Sequence, residues 1–244
     1  MRPPVFWAEP EALRSDLVVL EGAEGHHAAN VRRLAAGERA DVTDGAGTVA
    51  ECVVADARPG RLELAVTSRT TLPRPRPAVT VAQAVPKAGR GELAVELLTE
   101  VGVDTVLPWQ AERCVARWRG ERASRAVGRW RETAREAAKQ SRRCWFPEVA
   151  EPVTTTRLAE RVAAADLAIL LDPDAAAPLA GMRQPADGEI LIIVGPEGGV
   201  SPAEAAALGR AGAVPARLGR TVLRTSSAGA VAAAVLSGCG GRWR

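Results

Sequence analysis

Hydrophobic and polar positions change rhythm once along this chain. In the first seventy residues apolar side chains alternate with polar ones over short stretches, Ala40 to Thr43, Thr48 to Ala55 and Arg61 to Thr67. These are separated by Asp44-Gly45-Ala46-Gly47 and Arg58-Pro59-Gly60, the punctuation of β-hairpins. A period of two predicts half-buried strands, and a short helix is expected among them from His26 to Leu34. From Val79 onward, apolar runs too continuous for a one-faced strand alternate with stretches of helical period. Buried strands are predicted at Val79 to Val85, Val103 to Trp109, Leu167 to Leu171, Ile190 to Val194 and Val214 to Leu218. Helices are predicted at Gly91 to Val101, Arg122 to Arg143, Thr155 to Ala165, Pro202 to Ala211 and Ser226 to Ser237. Strands alternating with helices imply an α/β domain with a mostly parallel sheet, whose ligands sit beyond the carboxyl ends of the strands.

Between the two regimes, Ser68 to Pro77 sets three prolines at alternate positions among arginines, which favours extended chain and reads as a linker. Two domains are expected, residues 1–72 and 73–244. No apolar run is long enough to span a bilayer, and the first ten residues lack the pattern of a signal peptide, so a cytoplasmic protein is expected. Cys52, Cys114, Cys144 and Cys239 form no CxxC pair, which argues against a zinc site or a disulfide framework and for buried thiols. His26 and His27 are the only histidines, and adjacent residues of a regular element cannot both face one ion. They are read as packing or ligand-contact residues, and no metal site is expected.

Charge alters the picture through its distribution. The net charge is only +3, but from Arg113 to Arg143 ten Arg and one Lys face Glu121, Glu132 and Glu136. Positive field concentrated in this way suits a surface that meets phosphate. Within the segment Ala123, Ala126, Val127, Trp130, Ala134, Ala137 and Ala138 form one apolar stripe, while Arg125, Arg129, Glu132, Glu136, Gln140 and Arg143 share the opposite face. That face can bind a base with its phosphates or can be a network of i,i+4 pairs.

The most specific signal is the run Ile190-Leu-Ile-Ile-Val-Gly195-Pro-Glu-Gly-Gly199-Val-Ser201-Pro-Ala-Glu204. A buried strand enters a glycine-rich loop, and the next helix opens with Ser201 as N-cap, Pro202 at its first position and Glu204 closing a capping box. Gly195, Gly198 and Gly199 are expected to admit close ligand approach and positive φ. Neither GxxxxGK[ST] nor GxGxxG is present. A second strand-loop-helix turn follows in Arg217 to Ala228, with Thr225 or Ser226 expected as cap.

GPEGG followed by SxxE, then LGxxxLRT before an Ala-rich helix, resembles the RsmE family of SPOUT methyltransferases. Lys87 with Glu100 to Val103, Glu112-Arg113, Glu136 to Arg143, and His26-His27 ahead of Val31 to Leu34 resemble further motifs of that family, so the likeness covers the whole chain. The resemblance implies an N-terminal PUA-like β-barrel for RNA and a C-terminal SPOUT domain whose mostly parallel sheet is tied in a trefoil knot. It implies a homodimer that uses S-adenosylmethionine to methylate N3 of a uridine in 16S ribosomal RNA of the small subunit. The cofactor would be held by Leu171 and Asp172, by Gly195, Pro196, Glu197, Gly198 and Gly199, and by Leu218, Gly219, Leu223, Arg224 and Thr225. Arg113, Arg143 and Arg224 are candidates to stabilise the deprotonated uracil, with Glu136 or Glu197 to take its proton. Lys87, Arg125, Arg129, Gln140 and Arg142 are the candidate RNA contacts. Two departures from the family stand at the cofactor rim, Thr225-Ser226-Ser227 in place of Thr-Glu-Thr and Asp172-Pro173 in place of a His-Glu or Tyr-Glu pair. A related enzyme acting on a ribose 2′-hydroxyl or another base shares the cofactor fold, and an RNA-binding assembly factor without activity is the rival of a different class.

Overall fold

The computed structural model describes residues 3–87 and 89–243. The chain forms two compact units, residues 3–74 with Ala138–Phe146, and Pro75–Ala137 with residues 147–243.

The first unit is built on a five-stranded sheet of β1 (Val5–Trp7), β2 (Leu17–Leu20), β3 (Arg39–Thr43), β4 (Thr48–Arg58) and β5 (Arg61–Thr71), in the order β1-β3-β4-β5-β2. Its alternating inward residues, among them Val42, Cys52, Val54, Leu62 and Leu64, meet Phe6, Leu13, Val18 and Leu20 in one core. The expected helix from His26 to Leu34 is displaced: α1 (Gly22–His26) starts earlier, passes into a π-helical turn at His27–Val31, and the chain then turns at Arg33 with φ 55°. His27 packs edge-on against Phe6, with ring centroids 6.0 Å apart. β5 continues to Thr71, into the segment expected to be linker, because it stays paired with β4 out to Thr48. Residues 68–71 are all exposed, so no hydrophobic alternation marked them as strand.

The second unit holds six parallel strands, β6 (Ala78–Ala84), β7 (Thr105–Trp109), β8 (Glu148–Val149), β9 (Leu167–Leu171), β10 (Glu189–Val194) and β11 (Val214–Ala216), in the order β11-β9-β10-β6-β7-β8. Its helices are α2 (Gly91–Glu100), α4 (Thr155–Ala164), α5 (Pro202–Arg210) and α6 (Thr225–Gly240), with most of α3 (Gly120–Gln140). Successive residues of a strand face opposite sides, and β10 shows it. Ile190, Ile192 and Val194 enter a core with Val95, Leu98, Trp130, Ala233 and Leu236, whereas Leu191 and Ile193 enter another with Leu158, Val162 and Leu208. Helices therefore cover both faces, which is why the strands read as unbroken apolar runs. α6 comes close to the sheet at Gly229, where a Cβ would stand 3.1 Å from Val81, Leu98 and Val194 side chains.

On α3 the expected stripe is buried at Ala126, Val127, Trp130, Ala134, Ala137 and Ala138, and Arg125, Arg129, Glu132, Glu136 and Gln140 are exposed. The cysteines depart from expectation. Cys52 and Cys114 are buried, but Cys144 is only half-buried and Cys239 is exposed on the last turn of α6, where residues 238–240 leave the core.

Candidate active site

Strands β9, β10 and β11 end side by side, and the loops that leave them enclose a cavity of about 740 Å³. That size lies within the roughly 300–1,000 Å³ of small-molecule sites. Its floor is apolar, from Leu170, Val194, Ala205, Ala216 and Ala228. The sequence-predicted loop residues converge on it. Leu171 and Asp172 line it from the first loop, Gly195, Pro196, Glu197 and Gly199 from the second, and Leu218, Gly219, Leu223, Arg224 and Thr225 from the third.

Each loop is held by bonds that follow from its local sequence. In the first, Asp172 Oδ1 accepts from Asp174 N at 2.9 Å, and Asp172 N donates to Ala216 O at 3.0 Å. In the second, Gly199 N donates to Pro196 O at 2.9 Å in a tight turn that needs φ of +73° at Gly199. Positive φ was expected at all three glycines, and the structure restricts it to this one. A Cβ on Gly195 would meet Val200 Cγ2 at 2.7 Å, and one on Gly198 would stand 3.3 Å from Arg113 Cβ, a tight contact. Gly198 thus does not line the cavity; it makes room for Arg113, whose Nη1 donates to Gly198 O at 3.1 Å.

The helices beyond these loops start differently. Ser201 caps α5, its side chain accepting from Glu204 N while Glu204 accepts from Ser201 N, and Pro202 takes the first turn as expected. At α6 the N-cap is Arg224, with no side-chain cap bond, and not Thr225 or Ser226. Both of those are buried within the helix, and Thr225 O accepts from Gln83 Nε2 at 3.2 Å. Gln83 is itself buried on β6, and its Oε1 has no partner among the described residues. This bond ties the start of α6 to the central sheet through a carbonyl, and the first amides of α6 have no side-chain cap.

The charged candidates divide. Lys87 lines the cavity and its N donates to Glu197 Oε1 at 3.3 Å. Arg224 lines it, and Arg113 stands behind the glycine-rich loop. Glu136, on the exposed face of α3, is not among the lining residues. Arg125 and Arg129 are exposed, in ion pairs with Glu121 at 3.5 Å and Glu92 at 3.2 Å. Gln140, Arg142 and Arg143 lie in the first unit. There Arg142 donates to Pro3 O and pairs with Asp41, while Arg143 Nε donates to Trp145 O at 2.9 Å. Burial raises the Asp41 carboxyl above its usual value against the lowering effect of Arg142.

Arg90, Val115, Thr221 and Val222 also border the cavity and were not singled out from sequence. Val115 and Val222 are 70% and 78% exposed, in short loop segments that carry no periodic signal. Burial pushes the Cys114 thiol, next to Arg113, above its ordinary value, and that of Cys52 in the first unit up to about 11. Among the described residues no group of three or more His, Cys, Asp or Glu is placed to hold a metal.

Comparison with known proteins fits this architecture. The RNA methyltransferase domain family matches residues 73–237 and the RNA methyltransferase PUA domain family residues 20–67. Over 231 residues the chain is 46% identical to ribosomal RNA small subunit methyltransferase E of Mycobacterium bovis, covering 93% of this chain and 88% of that one. The chain belongs to this methyltransferase E family. A member from Synechocystis is 32% identical, over 93% of this chain and 75% of its own. A methyltransferase of Legionella pneumophila, solved in complex with the bound cofactor SAM, superposes with a TM-score of 0.88 at 26% identity and covers 98% of both chains. The family's member from Neisseria gonorrhoeae has the same fold, with a TM-score of 0.86 at 24% identity, over 97% of this chain and 98% of that one. Membership makes the chain an RNA methyltransferase, and its N-terminal unit contains the family's PUA domain.

Proposed function

We propose that the protein transfers the methyl group of S-adenosylmethionine to N3 of a uridine in 16S ribosomal RNA of the small subunit, in the cytoplasm and as a homodimer. The observation that carries this reading is the three-loop cavity at the ends of β9, β10 and β11, with the Arg113 guanidinium braced on its glycine-rich wall. Residues 1–72 serve as the RNA-binding domain and 73–244 as the catalytic one, with the knot that the resemblance implies. The donor fits the lining: an apolar floor suits the adenosine, and the backbone of Leu171, Asp172, Gly195, Pro196, Glu197, Gly199, Leu218, Gly219 and Thr221 to Thr225 supplies polar edges. The cofactor contributes an electrophilic methyl group on a sulfonium.

The chain's own residues then have three tasks. They exclude water by the apolar floor, they take the N3 proton, and they favour the negative charge left on the ring. Glu197 is assigned the proton rather than Glu136, because Glu197 lines the cavity and Glu136 does not. Arg113 and Arg224 are assigned the charge, while Arg143 is left to the first unit, where its bond to Trp145 O lies. Arg125 and Arg129 sit in exposed pairs of the kind worth about 0–1 kcal/mol, which phosphates can replace at little cost. Lys87, Gln140 and Arg142 remain RNA contacts within the same proposal.

Incubation with labelled S-adenosylmethionine and small ribosomal subunits, followed by nucleoside analysis, is expected to yield 3-methyluridine. A 2′-O-methyl nucleoside would move the target to ribose, and no product would remove the activity. RNA affinity should fall linearly in log salt, and Arg125→Glu with Arg129→Glu should flatten the slope; a salt-independent affinity would confine that helix face to solvation.

A further inference from the structure

Glu204 does more than a capping box requires. Such a box engages one carboxylate oxygen, and here Glu204 Oε2 accepts from Ser201 N at 3.2 Å. The other oxygen, Oε1, accepts from Glu112 N at 2.9 Å and from Thr155 Oγ1 at 2.7 Å. The Thr155 hydroxyl also receives Trp109 Nε1 at 3.2 Å, so its own proton is directed to Glu204. The residue is only 6% exposed. A carboxylate withdrawn from water is tolerated when donors surround it, and these donors come from three segments that only the fold brings together.

The segment reached through Glu112 is the one that carries Arg113, and it is stiff. Cys114 N closes a turn on Ala111 O at 3.2 Å, Arg117 Nη2 donates to Glu112 O at 2.6 Å, and Gln110 bridges Trp118 N at 2.9 Å and Ala116 O at 3.0 Å. Fixing the Glu112 amide therefore fixes the backbone from which Arg113 projects. The contacts close on themselves: Glu204 holds Ser201 and Glu112, and Arg113, next to Glu112, bonds Gly198, three residues ahead of Ser201.

We infer that Glu204 is a positioning residue for methyl transfer, its buried carboxylate setting where Arg113 stands relative to the glycine-rich loop. The inference rests on the reading of Arg113 as the group that stabilises the charged uracil. A helix cap alone leaves Oε1 to solvent; in this protein Oε1 is spent on the neighbouring loop.

The test separates the two oxygens. Glu204→Leu removes both acceptors, whereas an amide in its place could keep its one oxygen on Glu112 N and Thr155 Oγ1 and lose only the cap. Glu112→Pro leaves the carboxylate intact and deletes only the amide that reaches it, at the second position of the Ala111-to-Cys114 turn, where proline is favoured. Single-turnover methylation of small subunits by either variant is expected to fall by about tenfold to a hundredfold, the scale of an ångström of misplacement. Calorimetric affinity for S-adenosylmethionine should stay within about threefold, and Glu112→Ala, which keeps the amide, should lose no more than about threefold in rate. In an Arg113→Ala background both variants should cost less than about threefold further, since coupled residues are not additive. Losses that multiply with an impaired Arg113→Ala, or a Glu112→Pro protein within about threefold of the parent rate, would overturn the inference alone. Full activity of Arg113→Ala by itself would instead remove the reading of Arg113, and this inference with it.

Discussion

The junction from β10 to α5 is closed at its helix end by reciprocal bonds between Ser201 and Glu204, whereas the junction from β11 to α6 enters its helix at Arg224 with no side-chain cap. Their glycines differ in the same sense. Gly198 is pressed against Arg113, while a Cβ on Gly219 would meet nothing within 4 Å. Both loops line one cavity and look alike as strand, glycine and helix. One is a wall braced by its neighbours and the other a margin with room left in it. A glycine in a loop thus reports a lack of space in the first case and a provision of space in the second.

The largest expected effect tests the braced side. Arg113→Ala should leave donor affinity nearly intact and cut single-turnover methylation by roughly two to three orders of magnitude, as for loss of one charge-stabilising donor. Arg113→Lys should recover little, because an ammonium lacks the planar fork. If Arg113 only supported the fold, melting temperature and activity would fall together, and Arg224 would be the next residue to replace.

Next in size is the exchange of the two glycines. Gly219→Val should fold normally and weaken calorimetric donor binding by about tenfold, since the added atoms occupy the space the margin provides. Gly198→Val should lower methylation more than donor affinity, because its new side chain displaces Arg113 and leaves the cavity wall in place. Equal loss of affinity in both variants would erase the distinction between wall and margin.

The smallest effect concerns stability. Ser201→Ala should cost about 1 kcal/mol in denaturant unfolding, the usual worth of an N-cap. Ser227→Ala on α6, where Ser227 Oγ only donates to Arg224 O at 3.2 Å, should stay within about 0.5 kcal/mol. Similar costs would mean that α6 depends on local side-chain bonds after all.

The sequence disclosed what is local and periodic. Ser201, Pro202 and Glu204 announce their cap within four residues, and the stripe from Ala126 to Ala138 announces the buried face of α3. The bonds from Glu204 to Glu112 N and Thr155 span 92 and 49 positions, and no spacing rule reaches that far. The start of α6 lies one residue earlier than its cap candidates suggest: Thr225 and Ser226 are buried within the helix, and Thr225 O is held by Gln83, 142 residues away. β1 and β2 went unseen because three and four residues are too few to show a period, and both are defined by partners, β3 and β5. Leu171 and Asp172 stand at a predicted strand end, where such sheets hold ligands, but family resemblance singled this end out from the others.

One packing detail supplies an optical gauge for the loop of Arg113. The chain contains six tryptophans, two phenylalanines and no tyrosine, so tryptophan dominates its near-ultraviolet signals. Trp118 ends that loop, held through its amide by Gln110, and its ring meets buried Trp130 edge-on with centroids 4.9 Å apart. Two indoles so close and inclined at 72° couple their transitions, giving a circular dichroism band whose amplitude varies with their separation and tilt. Near-ultraviolet dichroism reports side-chain packing in general. The share contributed by the Trp118–Trp130 pair, isolated as the difference that Trp118→Phe makes, reads the posture of one loop with no label added and no reaction required.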